Sequence, residues 1–381
     1  MWVSHLSLTD IRSYPDVSID LQPGVTTFVG RNGQGKTNLV EAIGYVATLG
    51  SHRVASDAPL VRFQTQQGII RCSVTAHDRD VLVEIAILPG RANKARINRS
   101  PVPRVRDVLG LLRVVVFAPE DLALVKGDPS DRRRFLDELL VQRTPRLAGT
   151  MADLDRVLKQ RSALLKSASV ARRSAGEEML RTLQVWDEQL AAVGAEIIVA
   201  RLELVDELSP PAVRDYAFIA QDPSLLELSY TSSLEPVLGE QLPRASRERS
   251  DWTAALLRAI QERRDEELNR GVTLVGPQRD DLSIRLGPVP AKGYASHGES
   301  WSIALALRLA SFDVLRADGD DPVLILDDVF AELDVARRDR LALRLVDATQ
   351  VIITAAVDAD IPAELSGSRF RVDAGTVTHD V

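Results

Sequence analysis

The chain has 381 residues, 45% hydrophobic and 27% charged, with a net charge of −7 and one cysteine, Cys72. These totals exclude an intramolecular disulfide, a cysteine-built zinc site and a surface coated in positive charge, so an anionic partner must meet a local patch. The longest apolar run, VLGLLRVVVFAP, is short and carries Arg113, and MWVSHLSLTD has no leader pattern, so no membrane span is expected and the expected location is the cytoplasm.

Taken in chain order, WVSHLSLTDI and SIDLQPGVTTFVG read as strands, with Pro23 and Gly24 marking a turn. KTNLVEAIGYVATLG has helical spacing, with Leu39, Val40, Ile43 and Val46 on one face. Residues 67 to 88 read as two strands joined by AHDRD. RVVVFAPEDLALVKGDPSDRRRFLDELL reads as a buried strand, a loop and a helix capped near Ser130 or Asp131. From 131 to 268 the periodicity is mostly helical, interrupted by Pro210 and Pro211 and by a strand-like LLELSYTS. Strand vocabulary returns in VTLVGP, DLSIRL, PVLILDDV and QVIITAA. The expected architecture is an α/β domain built from residues 1–130 and 269–381, with a mostly helical insertion at 131–268. That insertion is too short for a very long coiled-coil arm at about 1.5 Å per residue.

GRNGQGKT, residues 30 to 37, fits the phosphate-binding pattern G-x-x-x-x-G-K-[ST] between an apolar strand and a helix. Backbone amides of Gly30, Arg31, Asn32, Gly33, Gln34 and Gly35 would cradle phosphate oxygens at a helix N-terminus, with Asn38 just beyond. Lys36 would bridge the outer phosphates of ATP, and the Thr37 hydroxyl would ligate Mg²⁺. The metal also needs a carboxylate at the end of a neighbouring strand, and LILDD supplies Asp327 for Mg²⁺ and Asp328 to orient or deprotonate the attacking water.

Ser296, Gly298 and Glu299 open a long amphipathic stretch at YASHGESW. Ser296 with Glu299 three residues on is a capping box, and a capped helix start is also an anion site, so the two readings hold together. The order of phosphate loop, Ser-x-Gly turn, paired acids and Glu332-Leu333-Asp334 is similar to the layout of ABC-type ATPase heads. In that class the Ser-x-Gly turn completes the nucleotide site of a second copy. Heads of ABC transporters usually carry a His after the next strand, whereas VIITAAVDAD has Thr354 there.

FAPEDLALVKGDPSDRRRFLDELL, LVGPQRDDLSIRL, GRNGQGKTNLVEAIGYV and LILDDVFAELD together resemble the RecF family, essentially end to end. The blocks at 117–140 and 274–286 are the specific ones. The resemblance implies an ABC-type P-loop ATPase head and a homodimer formed on ATP. It further implies a weak, DNA-stimulated ATPase acting as a switch, and binding to DNA at gaps or double-strand to single-strand junctions. It implies work with RecR and RecO to load recombinase during repair and the SOS response. The family signature often reads Ser-Gln-Gly-Gln-x-Arg, whereas this chain has His297, Glu299 and Trp301, and Gln278 replaces a usual His. Glu120 stands where related heads use a Gln to sense Mg²⁺ or the attacking water. Arg12 and Tyr14 lie along the nucleotide in one reading and form an exposed strand end in the other.

RANKARINRSPVPRVR carries six positive charges and no acid; Arg132, Arg133 and Arg134 start one helix, and Lys159, Arg161, Lys166, Arg172 and Arg173 dot another. Such patches either contact phosphates without sequence preference or form solvated faces. Few aromatics lie among them, which favours duplex backbone over stacked single strands. Two other functions fit the motifs: an ABC-type energy module of another complex, and a scaffold that binds nucleotide without hydrolysing it.

Overall fold

Alternation in the first strand, Trp2–Ile11, buries Val3, Leu6, Leu8 and Ile11, and a bulge between Val3 and His5 accounts for the three-residue step between the first two. The computed structural model describes residues 1–77, 79–171, 177–222 and 224–380, and among these residues the strands form three sheets. An antiparallel sheet runs Tyr14–Asp20, Trp2–Ile11, Gly68–Ala76, Arg79–Ile87, Lys94–Ile97, Ser100–Pro101. The second sheet runs Thr376–Asp380, Ser368–Asp373, Gly24–Val29, Gln350–Ala355, Val323–Asp327, Val114–Phe117 and is parallel apart from its first pair. Its central strands, VLILD and QVIITA, are buried along their whole length, which explains why they read as continuous apolar runs. Pairing of Asp327 with Thr354 and of Ala355 with Val29 brings the carboxyl ends of three strands level.

The helix Lys36–Thr48 packs its apolar face, including Leu39, Val40, Ile43 and Val46, into a core shared with strands of both large sheets. A second core contains the helix His297–Ala317, the parallel strands and the later part of the helix Glu177–Ala220, through Leu204, Leu208, Ala212 and Tyr216. The earlier part of that 44-residue helix, through Leu190 and Ile198, belongs instead to a third core with Trp252 and Leu256. These contacts explain one departure from expectation. Pro210 and Pro211 lie inside the helix and do not end it. The carbonyls they leave unbonded belong to the exposed residues Asp206 and Glu207, Ser209 Oγ donates to Val205 O at 2.6 Å, and the buried stripe on either side outweighs a proline cost of about 3 kcal/mol.

Two further expectations are corrected. VTLVGP is not a strand; residues 272–276 are irregular backbone, held by Arg279 donating to Thr273 O and Ser233 Oγ donating to Gly276 O. The helix Pro129–Arg143 is capped at Asp128, whose backbone N–H donates to Asp131 Oδ2 at 3.0 Å, because Pro129 needs no donor at the first helical position. The blocks at 117–140 and 274–286 meet in space. Arg132 grips Asp281 with two bonds of 2.8 Å, and Arg201 joins Asp137 to the carbonyl of Pro277 at 2.7 Å. Asp280 accepts from Tyr230 and from Ser233 N, both at 2.6 Å.

Arg161 is fully buried between Asp187 at 2.8 Å and Glu267 at 2.5 Å and also donates to Thr273 at 2.8 Å. Removing one partner of such a cluster strands buried charge. Arg161→Met is expected to cost about 3–5 kcal/mol in denaturant unfolding. A loss near zero would show that the acids find other partners.

Candidate nucleotide site

The loop between Val29 and Lys36 needs glycine at two places for identifiable reasons. Gly35 has φ 113°, and a side chain there would meet Tyr14 Oη at 2.8 Å; a Cβ on Gly30 would lie 2.2 Å from Val372 O. Tyr14 is fully buried under the loop and donates from Oη to Gly35 O at 3.1 Å, so it is not an exposed strand end. Lys36 is almost fully buried and donates from Nζ to Gly30 O at 2.8 Å and Arg31 O at 3.3 Å, with Asn32 Oδ1 at 3.5 Å. Gln34 Oε1 accepts from Ala374 N at 2.6 Å, and Asn38 donates to Ser13 Oγ at 3.0 Å. A cavity of about 280 Å³ lies over the loop, lined by Gly33, Lys36, Thr37, Asn38, Arg53 and Asp328 among others.

Thr37 Oγ1 donates to Asp327 Oδ1 at 2.9 Å, and Thr354 Oγ1 donates to the same oxygen at 2.7 Å. Thr354 also accepts from Asp328 N at 2.9 Å, holding Asp328 in a left-handed conformation, φ 53°, that Asp tolerates better than most residues. Burial works to push the Asp327 carboxyl up, but the His52 ring and the hydroxyls of Thr354 and Thr37 outweigh it and hold the group below the usual carboxylate range. Asp328 is raised, by burial first, with Lys36 opposing and Asp327 and Asp360 adding to the rise. Two adjacent carboxyls are thus driven in opposite directions, Asp327 down and Asp328 up. A hydroxyl and a carboxylate this close are hard oxygen donors of the kind Mg²⁺ takes in ones and twos, with phosphates completing its shell. No group of three or more His, Cys, Asp or Glu that could hold a metal by itself occurs among the described residues.

Several residues were not singled out by the motifs. His52 Nε2 lies 3.5 Å from Asp327 Oδ2. Arg53 lines the cavity and donates to Asn38 Oδ1 at 3.2 Å. Thr354, at the strand end where transporter heads place a His further on, bonds both Asp327 and Asp328. No pattern points to His52 or Arg53, since a loop after a helix has no characteristic spacing, and a strand residue such as Thr354 gives no sign of which neighbour it bonds. Arg12 donates to Glu41 at 2.9 and 2.7 Å, which ties its guanidinium to the helix side of the loop.

Ser296, Gly298 and Glu299 lie outside the lining of this cavity. Ser296 caps the helix His297–Ala317: Glu299 N donates to its Oγ at 3.2 Å, and Ser296 N donates to Glu299 Oε2 at 2.6 Å. A Cβ on Gly298 would meet the Arg337 guanidinium at 2.9 Å. His297 Nδ1 is 3.3 Å from Lys126 Nζ, Trp301 is buried, and Gln278 donates to Val275 O at 2.9 Å. Glu120 is exposed in the turn Pro119–Asp121 and borders a separate cavity shared with His52.

The basic stretch forms a hairpin, Lys94–Ile97 with Ser100–Pro101, at an edge of the antiparallel sheet, with Arg91, Lys94, Arg99 and Arg104 exposed and Arg96 paired to Glu84 at 3.2 Å. Two other cations change role: Arg132 and Arg161 are buried in ion pairs and cannot meet an external phosphate. Arg133 donates to Asp280 O at 2.7 Å, and Arg172 and Arg173 lie outside the described residues. No helix among the described residues is long and apolar enough to cross a membrane.

The model of the RecF/RecN/SMC N terminal domain matches residues 2–363. The chain is 59% identical over 377 residues to the DNA replication and repair protein RecF of Frankia alni, covering 99% of each. It is 57% identical over 378 residues to that of Streptomyces avermitilis, again 99% of each. It is similar to a solved structure described as the recombination mediator protein RecF-ATP in the RecFOR pathway, with a TM-score of 0.89 and 26% identity over 100% of this chain and 98% of that one. An Smc head domain from Pyrococcus furiosus shares the fold alone, with a TM-score of 0.54 and 16% identity. With an ABC-type ATPase head fold and such relatives along its whole length, the chain belongs to the RecF family of DNA replication and repair proteins.

Proposed function

We propose that this chain binds ATP with Mg²⁺ at residues 30–37, dimerises on it, and in the dimer grips DNA at gaps or double-strand to single-strand junctions to help load recombinase, together with RecR and RecO. The observation that carries the reading is the junction of Thr37, Asp327 and Thr354 at the ends of adjacent strands, beside a lysine-bearing loop. In this reading Lys36 and the loop amides hold the outer phosphates, while Thr37 and Asp327 hold Mg²⁺. An ion held there would supply positive charge against the phosphoryl oxygens. Asp328 orients the attacking water and accepts its proton. Burial raises the affinity of its carboxyl for protons, which suits a base. Residues 1–130 and 269–381 serve as the nucleotide head and 131–268 as the second lobe. Ser296, Gly298 and Glu299 present a helix N-terminus to the nucleotide of a second copy, where the positive end of the helix favours the terminal phosphate. Glu120 reports on the site from the adjoining turn. ATP shared between two copies adds binding energy only to the closed dimer and shifts the population toward it.

The exposed cations at 91–104 meet duplex phosphates in the same reading. The test is binding to duplex, single-stranded and gapped DNA, with and without ATP, at two salt concentrations. Asp328→Asn, which keeps the shape and removes the base, is expected to accumulate the ATP dimer and to hold gapped DNA longer than the parent chain, with turnover reduced about 100-fold. Normal turnover in a monomeric Asp328→Asn would overturn the assignment. DNA binding that ignores ATP would favour the reading of an energy module for another complex.

A further inference from the structure

The segment after the phosphate-loop helix is more elaborately anchored than a connector requires. Leu49 ends the helix in a left-handed conformation, φ 54°. Ser51 Oγ then accepts from Arg53 N at 3.0 Å and Val54 N at 3.2 Å while donating to Glu41 Oε1 at 2.5 Å. Glu41, 1% exposed, is gripped in turn by Arg12 and approached by Arg53 at 3.5 Å. A buried carboxylate on the phosphate-loop helix therefore fixes residues 49–54, and the residue at the apex is His52.

His52 Nε2 is a buried atom with no completed hydrogen bond, 3.5 Å from Asp327 Oδ2. Asp327 Oδ1 is already taken by the hydroxyls of Thr37 and Thr354. Two hydroxyls hold Oδ1, and a donor brought onto Oδ2 by His52 would fix the plane of the carboxylate against rotation about the Cβ–Cγ bond. On its other side His52 faces the cavity bordered by Glu120, Arg134 and Glu138.

We propose that His52 is a positioning residue for Asp327: held by the Ser51–Glu41–Arg12 anchor, it orients the carboxylate toward the divalent cation that accompanies ATP. The proposal rests on the nucleotide reading above. Partners that orient a metal-binding carboxylate typically alter metal affinity by about 10–100-fold.

The experiment compares the parent chain with His52→Ala, His52→Gln and His52→Leu. Mn²⁺ binding to the ATP complex is followed by electron paramagnetic resonance, and nucleotide binding is measured separately in EDTA. His52→Ala and His52→Leu are expected to weaken Mn²⁺ about tenfold, while nucleotide affinity in EDTA stays within about twofold. His52→Gln, which restores a donor near the same place, is expected to recover most of the loss. The leucine variant supplies the result if alanine leaves a cavity the fold does not tolerate. Unchanged Mn²⁺ affinity in both apolar variants overturns the proposal, as does an equal loss in EDTA, which would make His52 a prop for the loop alone. A parent chain that binds no nucleotide signals failure of the nucleotide reading itself, and that control is read before any variant.

Discussion

Lys36→Met is expected to abolish ATP binding at micromolar nucleotide and, with it, every ATP-dependent change in assembly or DNA binding. The ammonium is nearly buried and bonded to Gly30 O, Arg31 O and Asn32 Oδ1, so it stands inside the cradle before any ligand arrives. Truncating one side of a buried charged contact costs about 2–5 kcal/mol, and every 1.4 kcal/mol is tenfold, so a loss of about 100-fold in affinity is the modest expectation. Part of that loss comes from the loop, because methionine cannot bond the two carbonyls that Lys36 now draws together. Titration with a fluorescent ATP analogue, with thermal unfolding as a control, reads the effect. Affinity within threefold of the parent would remove the phosphate loop from the account.

Ser296→Arg is expected to separate nucleotide binding from assembly. The turn at Ser296 is absent from the lining of the loop cavity, so ATP affinity of the single chain should stay within about twofold. In the proposed dimer a guanidinium would occupy the place of the terminal phosphate of the nucleotide held by the second copy, so dimerisation with ATP should be lost. The capping box makes a control essential: removing the Ser296 hydroxyl costs about 0.5–2 kcal/mol of helix stability whatever its role. Ser296→Ala pays that cost without adding bulk. It is therefore expected to lower stability as Ser296→Arg does, yet to dimerise more readily. Sedimentation velocity with ATP measures both. A dimeric Ser296→Arg would leave Ser296 as a helix cap and nothing more.

The comparison of these two residues also shows what a sequence can and cannot disclose. Lys36 sits in a motif whose spacing is dictated by a single loop, so every part of its chemistry is local and legible. Ser296 is legible as a cap for the same reason, since Glu299 is three residues away. Its proposed second task depends on another molecule. Gly298 illustrates the difficulty: its missing side chain leaves room for the Arg337 guanidinium of the same chain, a contact no pattern announces. Pro210 and Pro211 mislead in the other direction, because their local preference is overridden by the buried residues flanking them. The cations Arg132 and Arg161 read as surface charge, but long-range acids draw them into the interior.

Most elements of period two and period 3.6, the phosphate loop, the paired acids and the order in which they occur are legible in the chain's residues alone. These depend on residues a few positions apart. The tertiary structure alone decided that Thr37, Thr354 and His52 converge on Asp327, that Arg12 holds Glu41, and that Arg132 closes on Asp281. Each of those joins segments remote along the chain, and side-chain direction across a packed sheet has no local signature. Parallel strands brought into register, with helices on both faces, are what place such distant groups within bonding distance.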